Sequence, residues 1–395
     1  MWRRTRVREC TMRSINGRLF CVMPVILFLW LLGNGAEAAR PVPNPPEVGA
    51  RAHILLDFDS GRVLSEVDAD ISLPPASLTK IMTTYVIFAE LRERNIQLQD
   101  LVPISEKAWR MAGSRMFIEV GKRVSVEDLL KGIIIQSGND ASVALAEFIA
   151  GDESAFAQLM NEYAQRLGMT ASSFRNATGL PDPEHLTTPR DLGILASALI
   201  RDFPEHYGWH SVREFSFNKI TQYNRNKLLW RDESVDGIKT GHTDAAGYCL
   251  VASAIRGGMR LVSVVMGSAS ENSRAKQSQT LLNYGFRFFE TERLVEANTA
   301  IESVRVWKGK TEQLGVGLTA DLYVTVPRGS LKRIKLTAEL GGRVMAPIRR
   351  GEERGTLRVI LGEDAIVTRP LVALENMDEG SFWQRATDHV RLMFQ

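Results

Sequence analysis

A serine and a lysine three residues apart can form an acylating centre. On a helical turn such a pair shares one face. The serine hydroxyl is a weak nucleophile until a base takes its proton. A lysine amine can do so if burial and neighbouring positive charge keep it neutral. Three pairs in the chain have this spacing: Ser77/Lys80, Ser216/Lys219 and Ser273/Lys276. So short a pattern recurs by accident, and the surrounding elements have to choose between them.

Ser77 lies in Pro74-Pro75-Ala76-Ser77-Leu78-Thr79-Lys80. The two prolines hold the preceding residues extended and suit a helix start. Leu78, Ile81, Met82, Tyr85, Val86 and Ala89 then recur at helical spacing. A serine in a first turn also has free backbone N–H groups nearby, which can stabilise an oxyanion.

A Ser/Lys acyl-transfer site takes two further motifs, Ser-x-Asn and then Lys-Thr-Gly. Lys-Thr-Gly occurs once, at Lys239-Thr240-Gly241, downstream of Ser77 and Ser216 but not of Ser273. Ser-x-Asn starts at Ser14, Ser137, Ser216 and Ser270. Ser137-Gly138-Asn139 is placed on a tight loop between two buried helices, one opening at a Ser125 cap and one over Ala141 to Ala150. Ser216-Phe217-Asn218 lies in a polar stretch without helix support, and no Ser-x-Asn follows it before Lys239. One ordered set remains, on helix, loop and strand.

The rest of the chain has to hold these three motifs together. A β-hairpin is expected over Ala52 to Glu66, with a turn at Asp59-Ser60-Gly61. Helices follow over about 154–167 and 188–203. Near Gly237 the period changes to apolar strands, Tyr248 to Ile255 and Leu261 to Met266, expected at the centre of an antiparallel sheet with the Lys-Thr-Gly strand. A helix over about 273–289 closes the unit. Strands at both ends of a mostly helical segment give an α+β catalytic domain, helices on an antiparallel sheet, over 39–291. Residues 292–378 alternate in short strands and read as a small all-β sandwich. In the last helix Phe382, Trp383, Ala386, Val390, Met393 and Phe394 share one face, and Gln384, Arg385, Asp388 and Arg391 the other. This amphipathic segment, 379–395, reads as an interfacial membrane helix, with docking on the β domain or a partner as the alternative.

The 395 residues include a targeting segment. Six arginines precede the apolar run Leu19 to Leu32, and Ala36-Glu37-Ala38 is a small-x-small cleavage site, so 1–38 reads as a signal peptide. Met12 is an alternative start, and an uncleaved anchor the alternative fate. The segment holds six Arg and two Glu while the whole chain is +3, leaving the mature chain near −1. The basicity thus belongs to the signal, and nothing supports nucleic-acid binding. Cys249 is the single cysteine after the signal, in an apolar run that suits a buried inert thiol. His206 and His210 have i, i+4 spacing but no obvious third ligand, so neither a metal nor another cofactor is expected.

The ordered set resembles the penicillin-binding protein / serine β-lactamase superfamily, and within it the low-molecular-mass D-alanyl-D-alanine carboxypeptidases of peptidase family S11. Supporting stretches are Pro75 to Lys80, Ser137 to Ala141, Asn176-Ala177-Thr178-Gly179-Leu180 and Val235 to Thr243. The resemblance implies a β-lactamase/transpeptidase-like catalytic fold and removal of the terminal D-Ala from peptidoglycan stem peptides. It implies that Ser77 attacks the penultimate D-Ala carbonyl and that Lys80, kept neutral by burial and Lys239, takes its proton. Ser137 would relay a proton to the departing amine, and Asn139 would orient Lys80 and the substrate amide. Lys239 and Thr240 of the Lys239-Thr240-Gly241 motif would hold the terminal carboxylate. Backbone N–H groups of Ser77 and His242 would form the oxyanion hole. Arg225 would steady the carboxylate end, or be an ordinary surface arginine. β-Lactams would acylate Ser77 and inhibit. The implied location is the periplasmic face of the cytoplasmic membrane. Rival readings are a β-lactamase, for which no Glu-held deacylating water loop is evident, a D,D-endopeptidase with the same chemistry, and a non-catalytic wall-binding scaffold.

Overall fold

The computed structural model describes residues 41–394. The expected signal peptide lies outside them. The core sheet has five antiparallel strands in the order Val63–Val67, Ala52–Asp57, Met259–Ser268, Gly247–Arg256, Val235–Thr243. The first hairpin and the last three strands thus meet through the pairing of Ala52–Asp57 with Met259–Ser268. The Lys-Thr-Gly strand is at the edge of this sheet, not at its centre. Its inner side pairs with Gly247–Arg256, and its outer side stays open for other chemistry.

The helices pack on the sheet. Lys80–Arg92 is the central one, with every residue from Lys80 to Ala89 buried. A helix covered on all sides shows no single apolar stripe, which is why the stripe read from the sequence understates its burial. Ser125 caps Val126–Ile135 by accepting from Asp128 N–H. Asn139–Ala150 begins two residues earlier than its apolar pattern, so Asn139 is a first-turn residue rather than a loop residue. Helices Glu153–Leu167, Pro189–Asp202 and Glu271–Phe288 complete the layer.

Beyond it, Phe289–Val295 pairs with Leu322–Pro327, and a six-stranded sheet runs Ile334–Leu340, Glu353–Leu361, Asp364–Ala373, Gln313–Gly317, Ala300–Trp307, Val344–Met345. Three of these strands are weakly signalled in the sequence: Phe289–Val295 continues directly from a helix, Gln313–Gly317 carries two glycines that weaken the strand signal, and Val344–Met345 is only two residues long. The β region bonds to the core hairpin: Thr291 Oγ1 donates to Asp57 Oδ2 at 2.7 Å, and Arg62 donates to the Thr325 carbonyl at 2.6 Å.

The last helix, Phe382–Met393, has a capping box between Ser381 and Gln384. It docks by its polar side. Asp388 accepts from Lys308 N–H at 2.7 Å, and Gln384 donates to Lys310 O at 3.3 Å. Phe382, Trp383, Val390, Met393 and Phe394 point to solvent. No helix among the described residues is long and apolar enough to cross a membrane.

Candidate active site

Pro75 caps a single 3-10 turn, Ala76–Thr79, that leads into the Lys80–Arg92 helix. In a 3-10 turn residues i and i+3 eclipse, so Ser77 and Lys80 are stacked more directly than on an α-helix. Lys80 Nζ lies 3.1 Å from Ser77 Oγ, 2.7 Å from Asn139 Oδ1 and 2.6 Å from the Thr178 carbonyl oxygen. Two of these neighbours only accept hydrogen bonds. A neutral amine satisfies both with its N–H groups, and its lone pair then faces Ser77 Oγ. That is the geometry of a base.

The Lys80 environment favours the neutral form. Its side chain is 1% exposed. Burial is the largest influence and the Arg225 charge the second, and together they lower its pKa to about 7 against the opposing pull of Asp140 and Glu153. Lys239 is coupled to Lys80: burial first and the Lys80 charge second, ahead of Arg225 and Arg274, hold the Lys239 pKa well below the usual lysine range. Two amines sharing a buried site cannot both be charged, and the one that loses its proton first is no longer a cation when the other titrates.

The Ser137 backbone is left-handed (φ 69°), and its hydroxyl is buried without a protein partner, free to bond a ligand. Asn139 is clamped by its own Nδ2, which donates to Ala112 O at 2.7 Å, and by its N–H, which donates to Ser114 O at 2.7 Å. Asp140 ties the same loop by accepting from Met116 and Phe117 N–H at 3.0 and 2.9 Å.

The edge strand brings Lys239, Thr240 and His242 alongside. Gly241 sets the approach: a Cβ there would stand 2.9 Å from Pro75 O and 3.2 Å from Leu78 N. Lys239 and Thr240 are buried, while His242 is exposed and stacks on Tyr248 with ring centroids 4.0 Å apart. Arg225 is exposed, yet its charge reaches both lysines. Its neighbours are fixed: Asn226 donates to Gly237 O at 2.9 Å and Asn224 to Val212 O at 3.0 Å. Beside the Ser77 turn runs a cleft of about 290 Å³ walled by Pro74, Pro75, Leu180, Pro181 and Thr243.

The structure separates the other two Ser-x-x-Lys pairs from this cluster. Ser216 bonds Thr221 across an exposed hairpin whose tip carries Lys219. Ser273 bonds Ser270 at the start of the Glu271–Phe288 helix. His210 is buried against Ile238 O and His206 stacks on Phe88. Among the described residues no group of three or more His, Cys, Asp or Glu could hold an ion. Sequence reasoning missed the role of Thr178, which offers a backbone carbonyl and no side-chain signature. Asn176 Oδ1 shapes that turn by accepting from Thr178 and Gly179 N–H at 3.1 and 2.7 Å.

The sequence profile described as D-alanyl-D-alanine carboxypeptidase, peptidase S11, matches residues 39–270. The chain belongs to this family. The profile of the C-terminal domain of penicillin-binding protein 5 matches residues 289–379 of the same family member. D-alanyl-D-alanine carboxypeptidase DacC of Escherichia coli (strain K12) is 45% identical over 375 residues, 93% of this chain and 94% of that protein. The crystal structure of penicillin binding protein 5 from Haemophilus influenzae superposes with a TM-score of 0.83 at 40% identity, over 85% of this chain and 100% of that one. Penicillin-binding protein D2 from Listeria monocytogenes, solved with ampicillin bound, superposes at 0.57 and 30% identity over 62% of this chain and 99% of its own.

Proposed function

We propose that the protein is a serine-type D-Ala-D-Ala carboxypeptidase that trims the terminal D-Ala from peptidoglycan stem pentapeptides. The contact between Lys80 Nζ and Ser77 Oγ, with the amine's other two neighbours accepting, carries this reading. Ser77 Oγ attacks the penultimate D-Ala carbonyl carbon, and Lys80 takes the hydroxyl proton. The resulting oxyanion is held by the N–H groups of Ser77 and His242. The C–N bond then breaks, and Ser137 passes a proton to the departing D-Ala amine. Water hydrolyses the Ser77 ester. Asn139 orients Lys80 and the substrate amide. Lys239 and Thr240 bind the terminal carboxylate, whose charge favours a protonated Lys239. Arg225 supports that end through its field.

Residues 39–291 carry this chemistry in our reading, and 292–378 hold it away from the bilayer. The exposed apolar side of the last helix rests on the periplasmic face of the cytoplasmic membrane. β-Lactams present the same carbonyl to Ser77 and leave a slow ester. Incubation with a fluorescent penicillin and with a peptide ending in D-Ala-D-Ala tests the assignment. Stable labelling with D-Ala release, both abolished by Ser77→Ala, is expected. Rapid penicillin turnover without D-Ala release would make the protein a β-lactamase, and absence of labelling would make it a scaffold.

A further inference from the structure

Two peptide units precede the N–H groups assigned above to the oxyanion: Ala76–Ser77 and Gly241–His242. The carbonyl of each accepts a hydrogen bond from a buried side chain. Thr79 Oγ1 donates to Ala76 O at 2.8 Å. Thr79 Oγ1 lies 2.9 Å from His185 Nε2, and Arg175 N–H donates to His185 Nδ1 at 3.3 Å. That last bond fixes the tautomer. An Nδ1 that accepts carries no proton, so Nε2 carries it and donates to Thr79. The hydroxyl proton is then committed to Ala76 O. The relay runs one way, from Arg175 N–H through His185 and Thr79 to Ala76. Burial holds His185 neutral, with a pKa of about 4. On the other strand Arg274, 4% exposed, donates from Nη1 to Gly241 O at 3.0 Å.

An amide whose carbonyl accepts a hydrogen bond is a stronger N–H donor, by about 10–30% per bond in a chain. The same bond fixes the plane of the peptide and so the direction of its N–H. Ala76 needs such fixing because it sits at φ 50°, a strained value for a residue with a side chain. The space around its carbonyl is kept open by Gly179, where a Cβ would stand 2.7 Å from Thr79 Oγ1. We propose that the Thr79–His185 relay and Arg274 are positioning residues that aim and polarise the two oxyanion-binding peptides from behind, one with a neutral chain and one with a cation. This rests on the reading of Ser77 and His242 N–H as the oxyanion donors.

The test is Thr79→Val and Arg274→Gln, singly and together, with Thr79→Ser as the conservative control. Removing an oxyanion donor outright costs about 10²–10³ in rate, so losing its support should cost roughly tenfold in kcat. KM should stay unchanged. A boronic acid that forms a tetrahedral adduct on Ser77 should lose affinity by the same factor, and Thr79→Ser should recover both. The double variant should multiply the single effects, since the two residues serve different peptides. Wild-type kcat in the double variant, or a rise in KM with kcat untouched, overturns the proposal. Should Thr79→Val fail to fold, His185→Phe against His185→Gln makes the same comparison, because only the glutamine keeps a donor toward Thr79. Ser77→Ala separates the layers. If it still acylates, the underlying site is wrong; if it is inert while Thr79→Val is wild type, only the relay is wrong.

Discussion

Gly179 is pressed against Ala76: a Cβ at position 179 would fall 1.8 Å from the Ala76 carbonyl oxygen. The contact joins the Asn176–Leu180 turn, which presents Thr178 O to Lys80, to the turn that carries Ser77. Gly179 also has φ 81°, which L side chains rarely adopt. Gly179→Ala should therefore cost at least about 2–3 kcal/mol of stability. It should cut penicillin acylation more than a comparable distant loss of stability does. Thermal melting and acylation rates measured together check this; a variant with wild-type acylation would show that the two turns do not depend on each other.

The rate of acylation should rise with pH through about 7 and level off above, because Lys80 acts only when neutral and its pKa is lowered to about 7. A β-lactam acylation profile between about pH 5 and 9 reads this directly. A profile that stays flat across that range would remove Lys80 as the base whose neutral form controls acylation.

Arg225 and Lys239 should separate in the same assay. Arg225 is the leading charge that disfavours the Lys80 ammonium. Arg225→Gln removes that repulsion, so the Lys80 pKa should rise, the inflection should move to higher pH, and activity near pH 7 should fall. Lys239→Gln should raise KM for the D-Ala-D-Ala peptide by about tenfold or more through loss of the carboxylate's partner. Its inflection should stay near that of the wild type. An inflection that moves in Lys239→Gln and holds in Arg225→Gln would make Lys239 the leading charge on Lys80.

Truncation of 381–395 should abolish flotation with anionic liposomes while leaving penicillin labelling intact, since the exposed apolar side of that helix lies outside the catalytic fold. Asp388→Ala should release the helix from Lys308, detected as faster proteolysis near the C-terminus. Flotation unchanged by the truncation would leave membrane contact to another surface.

Cys249 should resist thiol reagents until the protein unfolds. It is fully buried, and burial pushes its pKa up to about 11, so little thiolate forms near neutrality. Rapid labelling of the folded protein would contradict this.

The sequence by itself singled out Ser77/Lys80 among the three Ser-x-x-Lys pairs, because motif order and helix, loop and strand context are local properties. Ser125 at a cap, Pro75 at a turn and the period change near Gly237 are likewise written in neighbouring residues. The α+β division and the all-β region followed from those periods. Tertiary structure decided what depends on partners distant in the chain. Thr178 offers Lys80 a carbonyl, which no side-chain type announces. The Arg225 charge reaches Lys80 although Arg225 belongs to none of the three motifs, because a field acts across the fold rather than along the chain. The Lys-Thr-Gly strand lies at a sheet edge, since strand order is set by which apolar faces meet across the fold. His185 reaches Thr79, and Arg274 the Gly241 carbonyl, only after helix, turn and strand have packed. A hydrogen bond between residues about a hundred positions apart leaves no trace in local spacing.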